Sequence, residues 1–142
     1  MMEIDILTHP TDQDIADLIG LYVAASWWGG STDNSDLVRA IVAGSHVFVT
    51  ARHEGRIIGM GRAISDRVSD AYLQDITVLE RYRGQGLAKK ILQKLIERLT
   101  SDKIFWIALI AERGSSGLYE RVGFKPMENS TPMWRLDARN GL

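Results

Sequence analysis

One stretch constrains the fold more than any other: residues 73–99, LQDITVLERYRGQGLAKKILQKLIERL. It opens as an apolar, β-prone run, passes through a glycine turn and continues as an amphipathic helix over 85–99. Leu87, Ala88, Ile91, Leu92, Leu95, Ile96 and Leu99 share one face of that helix, with Lys89, Lys90, Lys94 and Arg98 opposite. A strand that enters a helix this way points backbone N–H groups and the positive end of a helix dipole at one spot. That spot suits a phosphate or diphosphate.

The rest of the 142 residues supplies the layers around this unit. The size is that of one ordinary domain, and the shares of hydrophobic (45%) and charged (25%) residues are those of a globular protein. An alternating first strand is expected over 3–8, then a helix from Pro10 and Thr11 to about Ser26, with Ile15, Leu18, Ile19, Tyr22 and Val23 inward. The segment WWGGSTDN (27–34) breaks that helix. A second, shorter one follows over 35–43, with Leu37, Val38 and Ile41 inward.

Residues 46–51 and 56–64 form a hairpin, in which Gly59 and Gly61 point to a bulge or a close backbone approach. The run 103–111, KIFWIALIA, reads as a strand covered on both faces, with Phe105 and Trp106 in the core beside Phe124. A short helix over 114–121, capped by Ser115 or Ser116, and a last strand over 131–136 complete the order β-α-α-β-β-β-α-β-α-β. No linker or repeat interrupts it, so residues 1–142 are read as a single α/β domain.

Composition excludes several chemistries. With no cysteine there is no thiolate nucleophile, disulfide or thiolate metal site, and His9, His46 and His53 form no metal-ligand spacing. No Ser–His–acid spacing supports an acyl-enzyme. No apolar run is long enough to span a bilayer, and the acidic start MMEIDILTHP lacks the apolar core of a secretory signal, so a cytoplasmic location is expected. The net charge of −1 conceals an asymmetry: residues 1–36 hold seven acids and no Lys or Arg, whereas 81–98 hold six basic residues against Glu97. Solvated faces would explain this, as would an anion-binding middle beside a region that attracts cations. The basic cluster is too short, and too poor in interleaved aromatics, for nucleic-acid binding.

Within the turn, Arg83-Gly84-Gln85-Gly86-Leu87-Ala88 fits R-x-x-G-x-A. The dinucleotide fingerprint G-x-G-x-x-G fails because residue 89 is Lys, and no G-K-S/T exists for a P-loop. A diphosphate site of another type remains. Residues 76–88, ITVLERYRGQGLA, resemble motif A of the GNAT acyl-CoA N-acyltransferase superfamily, and 117–124, GLYERVGF, resemble its later Tyr-containing helix followed by Gly-Phe.

The resemblance implies a mixed, partly parallel sheet of about six or seven strands flanked by about four helices, splayed at the strand before the glycine-rich turn. It implies acetyl-CoA as donor, no metal, and a small primary amine (or a protein amine) as acceptor, with a homodimer possible by analogy. Ile76, Thr77 and Val78 would receive the pantetheine arm, and Arg83, Gly84, Gln85, Gly86, Leu87 and Ala88 the pyrophosphate, chiefly through backbone groups. Tyr119 would stand near the thioester sulfur as general acid, and Trp27 and Trp28 would border the acceptor.

The chemistry asks for the same parts. An alkylamine, with a pKa near ~10.4, must lose a proton before attack, a thiolate leaving group benefits from a phenol donor, and the oxyanion needs an N–H such as that of Val78. Asp75 and Glu112 are the candidate bases. Glu112 lies seven residues before Tyr119, where many relatives carry a cofactor-contacting Asn, and that departure leaves its role open. Two rival readings are a CoA-binding sensor without turnover and a nucleotide-binding domain.

Overall fold

The computed structural model describes residues 2–29 and 34–137. Part of the expected 27–34 loop, residues 30–33, therefore lies outside the described residues. The chain divides into two compact units, Met1–Leu109 and Ile110–Leu142.

The first unit is built on a sheet of five strands in the order β1 (Met2–Ile6), β2 (Val47–His53), β3 (Arg56–Ser65), β4 (Asp70–Val78) and β5 (Trp106–Ala108). The first three pairings are antiparallel, and β4 with β5 is parallel. Alternation along the strands divides the core in two. Phe48, Ile57 and Met60 pack with Ile15, Leu18, Leu21 and Tyr22 of α1 (Asp12–Ala24) and with Val38 and Val42 of α2 (Ser35–Gly44). On the other face, α3 (Leu87–Ser101) sets Ile91, Leu92, Leu95 and Leu99, all fully buried, against β2 and β3. In α2 it is Val42, not Leu37, that turns inward; Leu37 is half exposed.

The start of α1 follows from its sequence. Thr11 and Asp14 form a capping box, Asp14 N–H donating to Thr11 Oγ1 (3.1 Å) and Thr11 N–H to Asp14 Oδ2 (3.0 Å). Asp14 Oδ1 then accepts from Arg52 at 2.8 Å. One turn on, Asp17 takes the Arg56 guanidinium on both oxygens, at 2.6 to 3.1 Å, and the Ile57 N–H at 3.1 Å. The β2–β3 hairpin is thus pinned along α1.

Two expectations for the C-terminal third are corrected. The sheet has five strands among the described residues rather than six or seven: 131–136 forms no ladder, and Met133 and Trp134 are solvent-exposed. Strand propensity needs a partner edge to act on, and Pro132 removes an N–H donor from this segment. The covered strand expected over 103–111 is a three-residue edge strand, with Phe105 74% and Trp106 56% exposed. Its partner β4 leaves it after Tyr72, so the ladder has only three rungs.

In the second unit, α4 (Ser116–Glu120) follows Ser115, whose N–H and hydroxyl both donate to the Glu112 carbonyl. Ser115 occupies the cap position without a side-chain cap bond. Phe124 N–H returns to the Tyr119 carbonyl (3.1 Å), and the two rings meet edge to face with centroids 6.2 Å apart.

Candidate active site

The site begins with an irregularity in β4. Its register against β3 runs Gly59↔Val78 and Met60↔Thr77, then resumes at Arg62↔Gln74. Asp75 and Ile76 therefore lie opposite Gly61 alone, a bulge, and Asp75 adopts the left-handed φ of +60°. On its other side β4 pairs with β5 only through Asp70, Ala71 and Tyr72. From Leu73 to Val78 that edge has no ladder partner among the described residues. Leu79 N–H donates to Ile58 O (2.9 Å), so alternation turns the Val78 N–H away from β3, toward the open edge. A strand edge of this kind can receive an extended chain carrying amides. Arg83 folds back so that its Nε donates to the Val78 carbonyl at 2.9 Å, joining the end of the strand to the turn.

Beyond Val78 a cleft of about 620 Å³ opens, lined by Leu21 and Ala24 of α1 and by Thr77, Val78, Leu79, Glu80, Arg81 and Arg83. The turn that follows is exposed, and Gly84 and Gly86 both carry positive φ (81° and 76°). Neither glycine would meet any atom within 4 Å through an added Cβ, so backbone conformation rather than crowding calls for glycine here. Gly86 occupies the cap position of α3 and gives no side-chain cap, and the first turn of α3 contains no acid. This is the reverse of α1, where Thr11 and Asp14 satisfy the helix start internally. The uncapped N–H groups and the dipole of α3 suit an anionic ligand. Leu87 itself is buried in the core.

Asp75 is held from two sides. Tyr22 of α1 donates its hydroxyl to Asp75 Oδ2 at 2.6 Å, and Arg62 Nε donates to the same oxygen at 2.7 Å. Arg62 also donates through Nη2 to Gln74 Oε1 at 3.0 Å. Burial, then the charge of Asp75 and the hydrogen bond to it, push the Tyr22 phenol well above its ordinary range, so it stays a donor. Trp28 stacks on the Tyr22 ring, centroids 4.0 Å apart and planes within 7°, and packs against the core. Trp27 lies tilted at 6.1 Å from the same ring and is 38% exposed.

In the second unit, burial and then the negative charge of Glu112 raise the Tyr119 pKa, against a smaller opposing effect of the Ser115 hydroxyl. The phenol is therefore protonated at neutral pH, as a proton donor must be. Glu112 itself is exposed.

The structure thus draws Trp27, Trp28, Asp75, Ile76, Thr77, Val78 and the 83–88 turn into the first unit, and Tyr119 and Glu112 into the second. Sequence reasoning missed Arg62 and the polar end of Tyr22. The signal for Arg62 was present: it is the one charge inside the otherwise apolar run of β3, and a charge in such a strand needs a partner.

Comparison with known proteins agrees with this geometry. A protein from methicillin-resistant Staphylococcus aureus superposes with a TM-score of 0.79 at 23% identity, covering 96% of this chain and 100% of that one. A protein from Clostridium acetobutylicum, described as a predicted acetyltransferase and solved with acetyl-CoA, gives a TM-score of 0.70 at 17% identity, covering 94% and 96%. Among curated sequences, histone acetyltransferase TAP1 of Glycine max is 32% identical over 129 residues, 84% of this chain and 55% of that protein. The chain spans only 28% to 55% of the length of such curated relatives. The family model of the acetyltransferase (GNAT) domain matches residues 6–133, through the bulged strand, the glycine turn and the Tyr119 helix, and the chain belongs to that family.

Proposed function

We propose that the chain is an N-acetyltransferase that passes an acetyl group from acetyl-CoA to a primary amine by direct transfer in a ternary complex. The observation that carries this reading is the continuity of the open β4 edge with the uncapped start of α3. An amide-bearing arm can lie along the first while its diphosphate meets the second. In this reading Ile76 and Val78 bind the pantetheine arm, the 83–88 backbone binds the pyrophosphate, and Trp27 and Trp28 wall the acceptor.

The amine nitrogen attacks the thioester carbonyl, forming the C–N bond and an oxyanion that the Val78 N–H stabilises. Collapse breaks the C–S bond, and Tyr119 gives its phenolic proton to the departing thiolate. The ammonium proton of the acceptor must leave as well, and Asp75 and Glu112 are the candidate carboxylates to take it. Replacing each by its amide separates them.

The test is an acceptor screen that follows CoA release from acetyl-CoA with alkylamines, spermidine, tyramine, glucosamine and a lysine peptide. At least one amine should release CoA well above hydrolysis. Tyr119→Phe should lower turnover by roughly 10²-fold or more while still binding acetyl-CoA. Acetyl-CoA binding without CoA release for any amine would instead favour a sensor.

A further inference from the structure

Three Asp–Arg pairs among the described residues involve strands of the sheet, and they are not alike. Asp14 uses both carboxylate oxygens, Oδ1 for Arg52 and Oδ2 for the Thr11 N–H. Asp17 likewise uses both, for Arg56, and adds the Ile57 N–H. These are saturated structural pairs. Asp75 differs: the Tyr22 hydroxyl and Arg62 Nε converge on Oδ2, and Oδ1 takes part in neither bond. A guanidinium readily engages both oxygens of a carboxylate, as Arg56 does. Here its second arm goes to Gln74 instead.

The rest of the arrangement fixes this asymmetry. Tyr22 is buried, and its ring is clamped face to face on Trp28, so the hydroxyl has one direction available. Asp75 sits in the β4 bulge with φ +60°, a left-handed conformation that Asp adopts more readily than most residues and that the bulge imposes here. Thr77 and Val78, immediately beyond the bulge, line the cleft.

We infer that Tyr22 and Arg62 are positioning residues for the acceptor: by holding Oδ2 of Asp75 they present Oδ1 to an N–H of the incoming amine. The inference rests on the acetyl-transfer reading and deepens it. It assigns specificity for an N–H donor to Asp75, and the aim of that carboxylate to a tyrosine 53 residues away.

The test uses the full chain, acetyl-CoA and the most active amine of the panel above. Tyr22→Phe keeps the ring on Trp28 and removes only the hydroxyl. It should lower kcat/KM for the amine about ten-fold, mainly through KM, with the acetyl-CoA Kd unchanged within two-fold. Arg62→Lys, which retains the charge but not the fork, should act in the same direction and serves if Tyr22→Phe does not fold. In an Asp75→Asn background, Tyr22→Phe should add less than two-fold, because both changes act through one carboxylate. Unchanged kcat/KM in the folded single variants, or full additivity with Asp75→Asn, overturns the inference and leaves acetyl transfer standing. Absence of CoA release by the unaltered chain with every amine overturns the acetyl-transfer reading and this inference together.

Discussion

Gly61 shows how a single hydrogen-for-methyl exchange can reach the site. A Cβ on Gly61 would lie 2.5 Å from Ile76 Cδ1 and 2.8 Å from Ile91 Cγ2, and Ile91, on α3, is fully buried. Ile91 cannot move far, so Ile76 must. Gly61→Ala should cost about 1–3 kcal/mol in urea unfolding, the usual range for overpacking. Since Ile76 belongs to the β4 bulge, acetyl-CoA affinity should fall in the same variant by more than in Gly59→Ala, where the tightest contacts are 3.2 Å. The two glycines inside an apolar strand advertised this closeness in the sequence. Tyr22 did not: its helical spacing identifies the buried ring and says nothing about the hydroxyl at its end. The left-handed φ of Asp75 was equally hidden, because it follows from a register shift against β3 and not from local preference.

At the scale of elements, the strand–turn–helix around β4 and α3 was readable because each of its signals is local: β-prone residues, glycines at the turn, and a 3.6-residue period. β5 and the segment 131–136 were misread because their state depends on a neighbouring strand edge, which periodicity does not report. The start of α3 offers a test that separates scaffold from ligand binding. Gly86 has φ +76°, a conformation that Asp adopts more readily than most residues. Gly86→Asp also places a negative charge at a helix start, where the dipole favours it by about 0.3–1 kcal/mol. The thermal midpoint of the apoprotein should therefore shift by only a few degrees. The same charge opposes a diphosphate, and the acetyl-CoA Kd, measured by calorimetry, should rise at least about ten-fold. Equal affinity in the two proteins would place the diphosphate elsewhere.

For the molecule as a whole, three of the seven acids in the first 36 residues serve as internal ties. Asp12 pairs with Arg39, Asp14 with Arg52 and Asp17 with Arg56. Arg52 beside Asp14 holds that carboxyl below its ordinary value of 3.8, outweighing burial. Burial pushes Asp17 up, but the Arg56 guanidinium and the Ile57 N–H more than reverse it, so its pKa is lowered as well. A carboxyl whose folded-state pKa lies below its unfolded value stabilises the fold fully above the unfolded value, and that contribution is lost as pH falls through the folded one. Both aspartates thus predict stability that is level from neutral pH down to about pH 5 and declines increasingly below 3.8. Asp17→Asn removes one of the two groups. It should lower the urea midpoint at pH 7, because the largely buried carboxylate and its bond to the Ile57 N–H are lost, and it should flatten the acid limb. Asp12→Asn, at a side chain 98% exposed, should leave both the midpoint and the limb nearly unchanged. Parallel acid limbs for the parent and Asp17→Asn would show that the hairpin is not held to α1 by this charge.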